Sequence, residues 1–130
     1  KVLFSEQHMD VADLAIKSIT SVYKYLDKDI KWTKSSIASP ETKGMEKAER
    51  LIQINKNLGY QIYVNTISGQ ELYKKEYFYS KGIKLNFVKS HIVEYKQFNN
   101  DFVPWLSIID VLMFNDKKAV KQQFTAHNIV

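Results

Sequence analysis

Two residues stand out as candidates for chemistry, because each is a titratable group set into an otherwise apolar row. Alternation over 103–114 predicts a strand on which Pro104, Leu106, Ile108, Asp110, Leu112 and Phe114 share one face. Asp110 is then a single carboxylate among apolar neighbours, where ionisation is disfavoured unless a donor or a cation answers it. A second long strand over 83–97 puts His91 on a face with Ile83, Leu85, Phe87, Lys89, Val93 and Tyr95. If both faces look into one concavity, Asp110 and His91 are pocket groups with acid and base chemistry between them. Alternatively, Asp110 is held by a backbone amide or a lysine and His91 is an edge residue reaching water. The sequence leaves both alternatives open.

Other chemistries find little support. His8, His91 and His127 form no spaced ligand pair, and there is no HExxH arrangement, so neither a metal nor another cofactor is expected. Gly44, Gly59, Gly69 and Gly82 are isolated, which leaves no glycine-rich phosphate cradle and no nucleophile elbow. No second acidic residue shares the apolar face with Asp110, so a glycosidic carboxylate pair is unsupported. The absence of cysteine excludes disulfides, thiolate zinc sites and cysteine nucleophiles.

The charge balance, 19 basic against 14 acidic side chains for a net +5, would suit a polyanion, but Arg50 is the only arginine. Lysine alone gives salt-sensitive attraction without the bidentate fork that reads phosphates and guanine edges, so no specific nucleic-acid partner is expected. A basic toxin or RNA-cleaving domain is a distant reading on the same ground. No apolar run is long enough to span a membrane. Val2–Phe4 is too short for a signal peptide, and Lys1 in place of methionine fits a trimmed or processed chain. A cytoplasmic location is the working expectation, with an exported form left open.

The elements that must position these groups change character near Gly59. Before it, apolar residues from Met9 to Leu26 recur at three- and four-residue steps, as a helix burying one face requires, with Asp10 near its start. Asp27–Asp29 closes that helix, Ile30–Trp32 reads as a short strand, and Ser35–Pro40 as a loop. Pro40 opens a second helix or turn whose apolar stripe runs from Met45 to Ile54 and stops at Asn57–Gly59. After Gly59 the period falls to two, predicting strands near 60–67, 71–79, 83–97, 103–114 and 118–126. Such consecutive strands with short turns are antiparallel. The expected fold is a single α+β domain spanning residues 1–130, in which N-terminal helices pack into a strongly curved antiparallel sheet of four to six strands.

Two passages then resemble a known family. Tyr25 to Trp32, followed by Pro40 to Gly44 leading into a helix, is similar to the helix end, first strand and glycine-to-helix passage of SnoaL-like members of the nuclear-transport-factor-2-like superfamily. Ile108 to Val120 is similar to the strand, turn and strand that close that fold. The resemblance implies a cone with an internal pocket. It also implies that Asp110 inherits the role of a protonated hydrogen-bond donor to a developing oxyanion, as in ketosteroid isomerase, where an apolar site keeps the carboxyl neutral. The position of that family's general base falls on Thr33, which has no usable basicity near neutral pH, and neither Tyr23 nor Tyr25 matches its helical tyrosine. Steroid isomerisation is therefore not expected.

Independently of the resemblance, Tyr23, Tyr25, Trp32, Phe87, Tyr95, Trp105 and Phe114 supply more aromatic mass than a small core needs. The leading expectation is a small-molecule-binding domain whose hydrophobic ligand lies against Tyr23, Trp32, Phe87, Tyr95 and Phe114. One alternative is an isomerase, dehydratase or cyclase using Asp110 with His91 as base. Another is an interaction module: Val103, Trp105, Ile109, Val111 and Met113 form an apolar face opposite Asp110, which suggests a homodimer through the sheet.

Overall fold

A computed structural model describes residues 10–130. Lys1–Met9, including His8, the Met9 end of the first apolar stripe and the run Val2–Phe4, lie outside the described residues. In chain order the elements are α1 (Val11–Tyr25), α2 (Ser35–Ala38), α3 (Lys47–Asn57), β1 (Ile62–Thr66), α4 (Lys75–Ser80), β2 (Lys84–Ser90), α5 (Ile108–Phe114), α6 (Lys117–Gln123) and β3 (His127–Ile129). Short 3-10 turns at Pro40–Thr42 and Ile67–Glu71 precede α3 and α4. The chain divides into two compact units, one formed by the residues up to Trp32 with Val93–Thr125, the other by Thr33–Ile92 with Ala126–Val130.

The second unit is built on an open, mixed three-stranded sheet of order β1-β2-β3. β1 pairs in parallel with β2, with Tyr63 opposite Leu85 and Asn65 opposite Phe87, and β3 pairs antiparallel to β2. The parallel pair follows from what lies between the strands: α4 carries the chain back along the sheet, and a parallel pair needs such a crossover. Ile83, Leu85 and Phe87 alternate into a buried cluster with Ile52 of α3 and Phe78 of α4. Phe78 is ringed by Tyr63, Tyr73 and Tyr77 at centroid distances of 6.0, 5.8 and 6.4 Å. Gly69 lies over this sheet, where an added Cβ would meet Asn65 Nδ2 at 2.9 Å and Phe87 Cε1 at 3.3 Å.

The expected antiparallel cone of four to six strands is overturned. Three of the five expected strands are absent as strands: 71–79 holds a 3-10 turn and α4, 103–114 ends in α5, and 118–126 is mostly α6. The 83–97 strand stops at Ser90, and Ile30–Trp32 forms no strand. Residues that the alternation places inside a strand or between two strands are helix caps. Ser107 accepts from Ile109 N at 3.3 Å to start α5, and Asp116 accepts from Ala119 N at 2.8 Å to start α6. At Gly82, with φ of +81°, the amides of Gly82 and Ile83 reach back to Tyr79 O at 2.9 Å and Phe78 O at 3.0 Å, the Schellman ending of α4 rather than a hairpin. The apolar row of Val103, Trp105, Ile109, Val111 and Met113 is consequently no sheet face, because Val103 and Trp105 lie outside α5 and helical spacing turns Val111 away from Ile109 and Met113. The dimer expected through a sheet loses that surface.

In the first unit, Asp10 caps α1 by accepting from Asp13 N at 2.7 Å. The helix ends in another Schellman motif: Asp27 N donates to Lys24 O at 3.1 Å and Lys28 N to Tyr23 O at 3.0 Å. The left-handed position, with φ of 50°, is taken by Asp27 instead of glycine. Leu26 and Val120 are fully buried here, and Tyr23 meets Phe124 of the α6 end edge-on at 6.2 Å.

Candidate functional site

The chain reversal at Asp27 folds the segment 27–32 back beside the end of α1. The groove that results has a volume of about 500 Å³ and is lined by Thr20, Ser21, Tyr23, Lys24, Asp27, Lys28, Asp29, Ile30 and Trp32. It is open to solvent, and Trp32 keeps 54% of its surface exposed. Thr20 Oγ1 is spent on Ile16 O at 2.8 Å, and Lys28 Nζ lies 5.3 Å from the Phe124 ring. Asp27 Oδ2 takes both Lys117 Nζ at 2.5 Å and Lys121 Nζ at 3.1 Å. Hydrogen bonds from Lys117 and then Lys121 hold its carboxyl below the ordinary aspartate value.

Asp110 sits in the first turn of α5, half-buried, and its Oδ2 accepts from Tyr95 Oη at 2.6 Å and from Gln97 Nε2 at 2.8 Å. Gln97, only 6% exposed, also donates to Val103 O at 3.2 Å and accepts from Val103 N at 2.7 Å through Oε1. One glutamine amide thus ties the carboxylate to a loop six residues further on. Desolvation raises the Tyr95 hydroxyl above the ordinary tyrosine value, and its bond to Asp110 adds to the rise. The Tyr95 ring meets Phe102 edge-on at 5.1 Å. In this arrangement Oδ2 is an acceptor of two bonds, with its donors supplied by the protein itself.

The other expected site residues are dispersed. Tyr23 and Trp32 share the groove, and Tyr95 joins Asp110. Phe87 is buried in the core of the other unit, and Phe114 packs on Phe98 at 4.6 Å. His91 is exposed, also in the other unit, with its amide donating to Ala126 O at 2.8 Å. No group of three or more potential metal-ligating side chains occurs among the described residues, and none of their helices is long and apolar enough to cross a membrane. Sequence reasoning misses Gln97 altogether. A side-chain bond to a backbone six residues away leaves no periodic mark, and only the neighbouring Asn99–Asp101 turn signal hints that the chain doubles back there.

The sequence model of the WbqC-like protein family matches residues 1–122. The chain belongs to the WbqC-like family. That membership overturns the SnoaL-like, nuclear-transport-factor-2-like assignment, and with it the expected cystatin-like kind of α+β cone, which the three-stranded sheet also contradicts. The passages that carried the resemblance take other forms in this WbqC-like chain: Tyr25–Trp32 is a helix end followed by a segment without regular secondary structure, and Ile108–Val120 runs through two capped helices. No curated protein and no solved structure matches the chain.

Proposed function

We propose that this WbqC-like chain binds a small molecule in the groove at the end of α1, with the apolar or planar part of the ligand against Tyr23 and Trp32. One observation carries the reading: two aromatic side chains nine positions apart line the same open groove, together with hydroxyl and charged groups. A half-exposed indole is an amphipathic stacking surface whose apolar face gains by leaving water. Ser21, Lys24 and Asp29 offer hydrogen bonding at the rim, so the fitting ligand is amphipathic rather than wholly apolar. The groove takes the place of the internal pocket expected from the resemblance.

The test uses Trp105→Phe, which leaves Trp32 as the single tryptophan of the chain. Titration with the uncharged fluorophore N-phenyl-1-naphthylamine should quench Trp32 by energy transfer and enhance the emission of the probe. Trp32→Ala should weaken the enhancement about tenfold or more. Equal enhancement with Trp32→Ala, or the absence of transfer from Trp32, refutes the groove as the site.

A further inference from the structure

We propose that the edge of β2 at Leu85 receives a short extended peptide bearing acidic side chains, which adds a strand to the sheet in line with β3. Alternation along β2 decides where its backbone groups point. Lys84 N donates to Gln61 O at 2.7 Å, and the parallel register then turns the backbone groups of Lys84, Asn86 and Val88 towards β1. Those of Leu85 and Phe87 turn to the other side. There Phe87 exchanges two bonds with Val130, its N–H donating to Val130 O at 2.8 Å and its carbonyl accepting from Val130 N at 2.9 Å. The next such pair of this antiparallel ladder falls at Leu85, and no described residue stands opposite it.

Leu85 is only 2% exposed, and among the described residues nothing bonds to its N–H or its carbonyl. A buried amide and carbonyl left in this state are costly, which makes the pair a strong receptor for another backbone. The same stretch opens on a pocket of about 370 Å³, lined by Lys75, Glu76 and Tyr79 of α4 with Lys84, Leu85 and Asn86 of β2. No residue of β1 or β3 lines this pocket, so it lies along the edge of β2 that β3 leaves uncovered. Main-chain bonds to such an edge supply affinity in strand addition, and alternate side chains supply specificity.

Charge and alternation select the occupant. Neither Lys75 nor Lys84 forms an ion pair with a described residue, and Glu76 is the one carboxylate in the lining. On an added strand the residue opposite Leu85 points to the α4 side, where Tyr79 and Lys75 stand. Its two neighbours point to the face of Lys84 and Asn86. An apolar residue between two glutamates therefore suits both faces. The lysines oppose a second copy at this edge, because two β2 edges would bring like charges together.

The test titrates the isotope-labelled protein with a capped threonine–glutamate–valine–glutamate–threonine peptide. The Leu85 amide proton should move downfield and exchange more slowly as the peptide binds. Methylating the central valine nitrogen removes the N–H that would donate to Leu85 O and leaves every charge in place, and it should weaken binding about tenfold or more. Lysine in place of both glutamates should abolish binding. Lys84→Met, at an exposed position, should weaken it about threefold at low salt, as the loss of one exposed charge pair implies. The proposal is overturned by an unmoved Leu85 amide, by equal binding of the methylated or the lysine peptide, or by Lys84→Met that binds as well as the parent. A Leu85 amide whose exchange in the free protein slows with protein concentration, as a dimer at this edge would cause, overturns it equally.

Discussion

Replacing Gln97 with alanine removes a buried amide that bonds to Asp110 Oδ2 at 2.8 Å, to Val103 O at 3.2 Å and from Val103 N at 2.7 Å, with a longer bond to Tyr95 Oη at 3.4 Å. The bond to the carboxylate is the strong one, worth about 1.5–3 kcal/mol as a charge-assisted pair. The two bonds to Val103 contribute less, because Val103 is itself exposed and water reaches its amide and carbonyl after truncation; about 0.5 kcal/mol each is a fair net loss. Asp110 keeps its bond from Tyr95, so the carboxylate is not orphaned. The expected cost is about 3 kcal/mol, a large share of the roughly 5–15 kcal/mol that holds a typical domain together. Urea denaturation of Gln97→Ala against the parent measures it, with hydrogen exchange at the Val103 amide as the local reporter. Tyr95→Phe removes only one bond to the same oxygen and should cost less. A loss below about 0.5 kcal/mol with unchanged Val103 exchange would refute the claim that Gln97 is the clamp of this loop.

Two further predictions concern pH. Lys117 and Lys121 hold the Asp27 carboxyl below its ordinary value, so the stabilisation it contributes is present above the unfolded aspartate value and disappears as pH falls through the folded one. In Lys117→Met/Lys121→Met the Asp27 carboxyl resonance should titrate at a higher pH, towards the ordinary aspartate range, and an unmoved midpoint would refute the pairing. Burial and the bond to Asp110 raise Tyr95, so its contribution is intact below the ordinary tyrosine value and is lost as pH rises through the folded one. Spectrophotometric titration of Asp110→Asn should bring that tyrosine down part of the way, since desolvation remains; no change would remove Asp110 as a cause.

The two long helices of the first half are legible in the sequence because their stripes and stops are clear, whereas Ser35–Ala38, expected as a loop, forms α2 and Ile30–Trp32, expected as a strand, forms none. The apolar stripe ending at Leu26 and the one ending before Gly59 correspond to α1 and α3, and Gly59 adopts φ of +72° as the residue that ends a helix. The second half misleads because serine, aspartate and glycine serve hairpin turns and helix caps alike. Ser107 with Asp110 three residues later matches a capping pattern followed by an apolar run, a signal present in the sequence but outweighed by the β-branched Ile108, Ile109 and Val111. Over seven residues, period two and period 3.6 cannot be separated by counting apolar positions. A strand over 103–114 would give Asp110 neighbours two positions away, whereas helical and loop geometry bring it Tyr95 and Gln97 instead.

The groove shows the same dependence on a single backbone choice. Tyr23 and Trp32 lie nine residues apart and meet only because Asp27 accepts a left-handed conformation that reverses the chain at the end of α1. Aspartate tolerates that region better than most side chains but less readily than glycine. What offsets the difference here is external to α1: Lys117 and Lys121 of α6 converge on Asp27 Oδ2, and their positive charges lie by a helix C-terminus, where the backbone dipole favours them. Glycine at this position would form the reversal more easily but would lose both ion pairs, leaving the segment 27–32 tethered to α6 by fewer groups. The carboxylate therefore joins the geometry of the groove to the element beside it, and the aromatic surface proposed to receive the ligand depends on two lysines that lie ninety or more positions after Asp27.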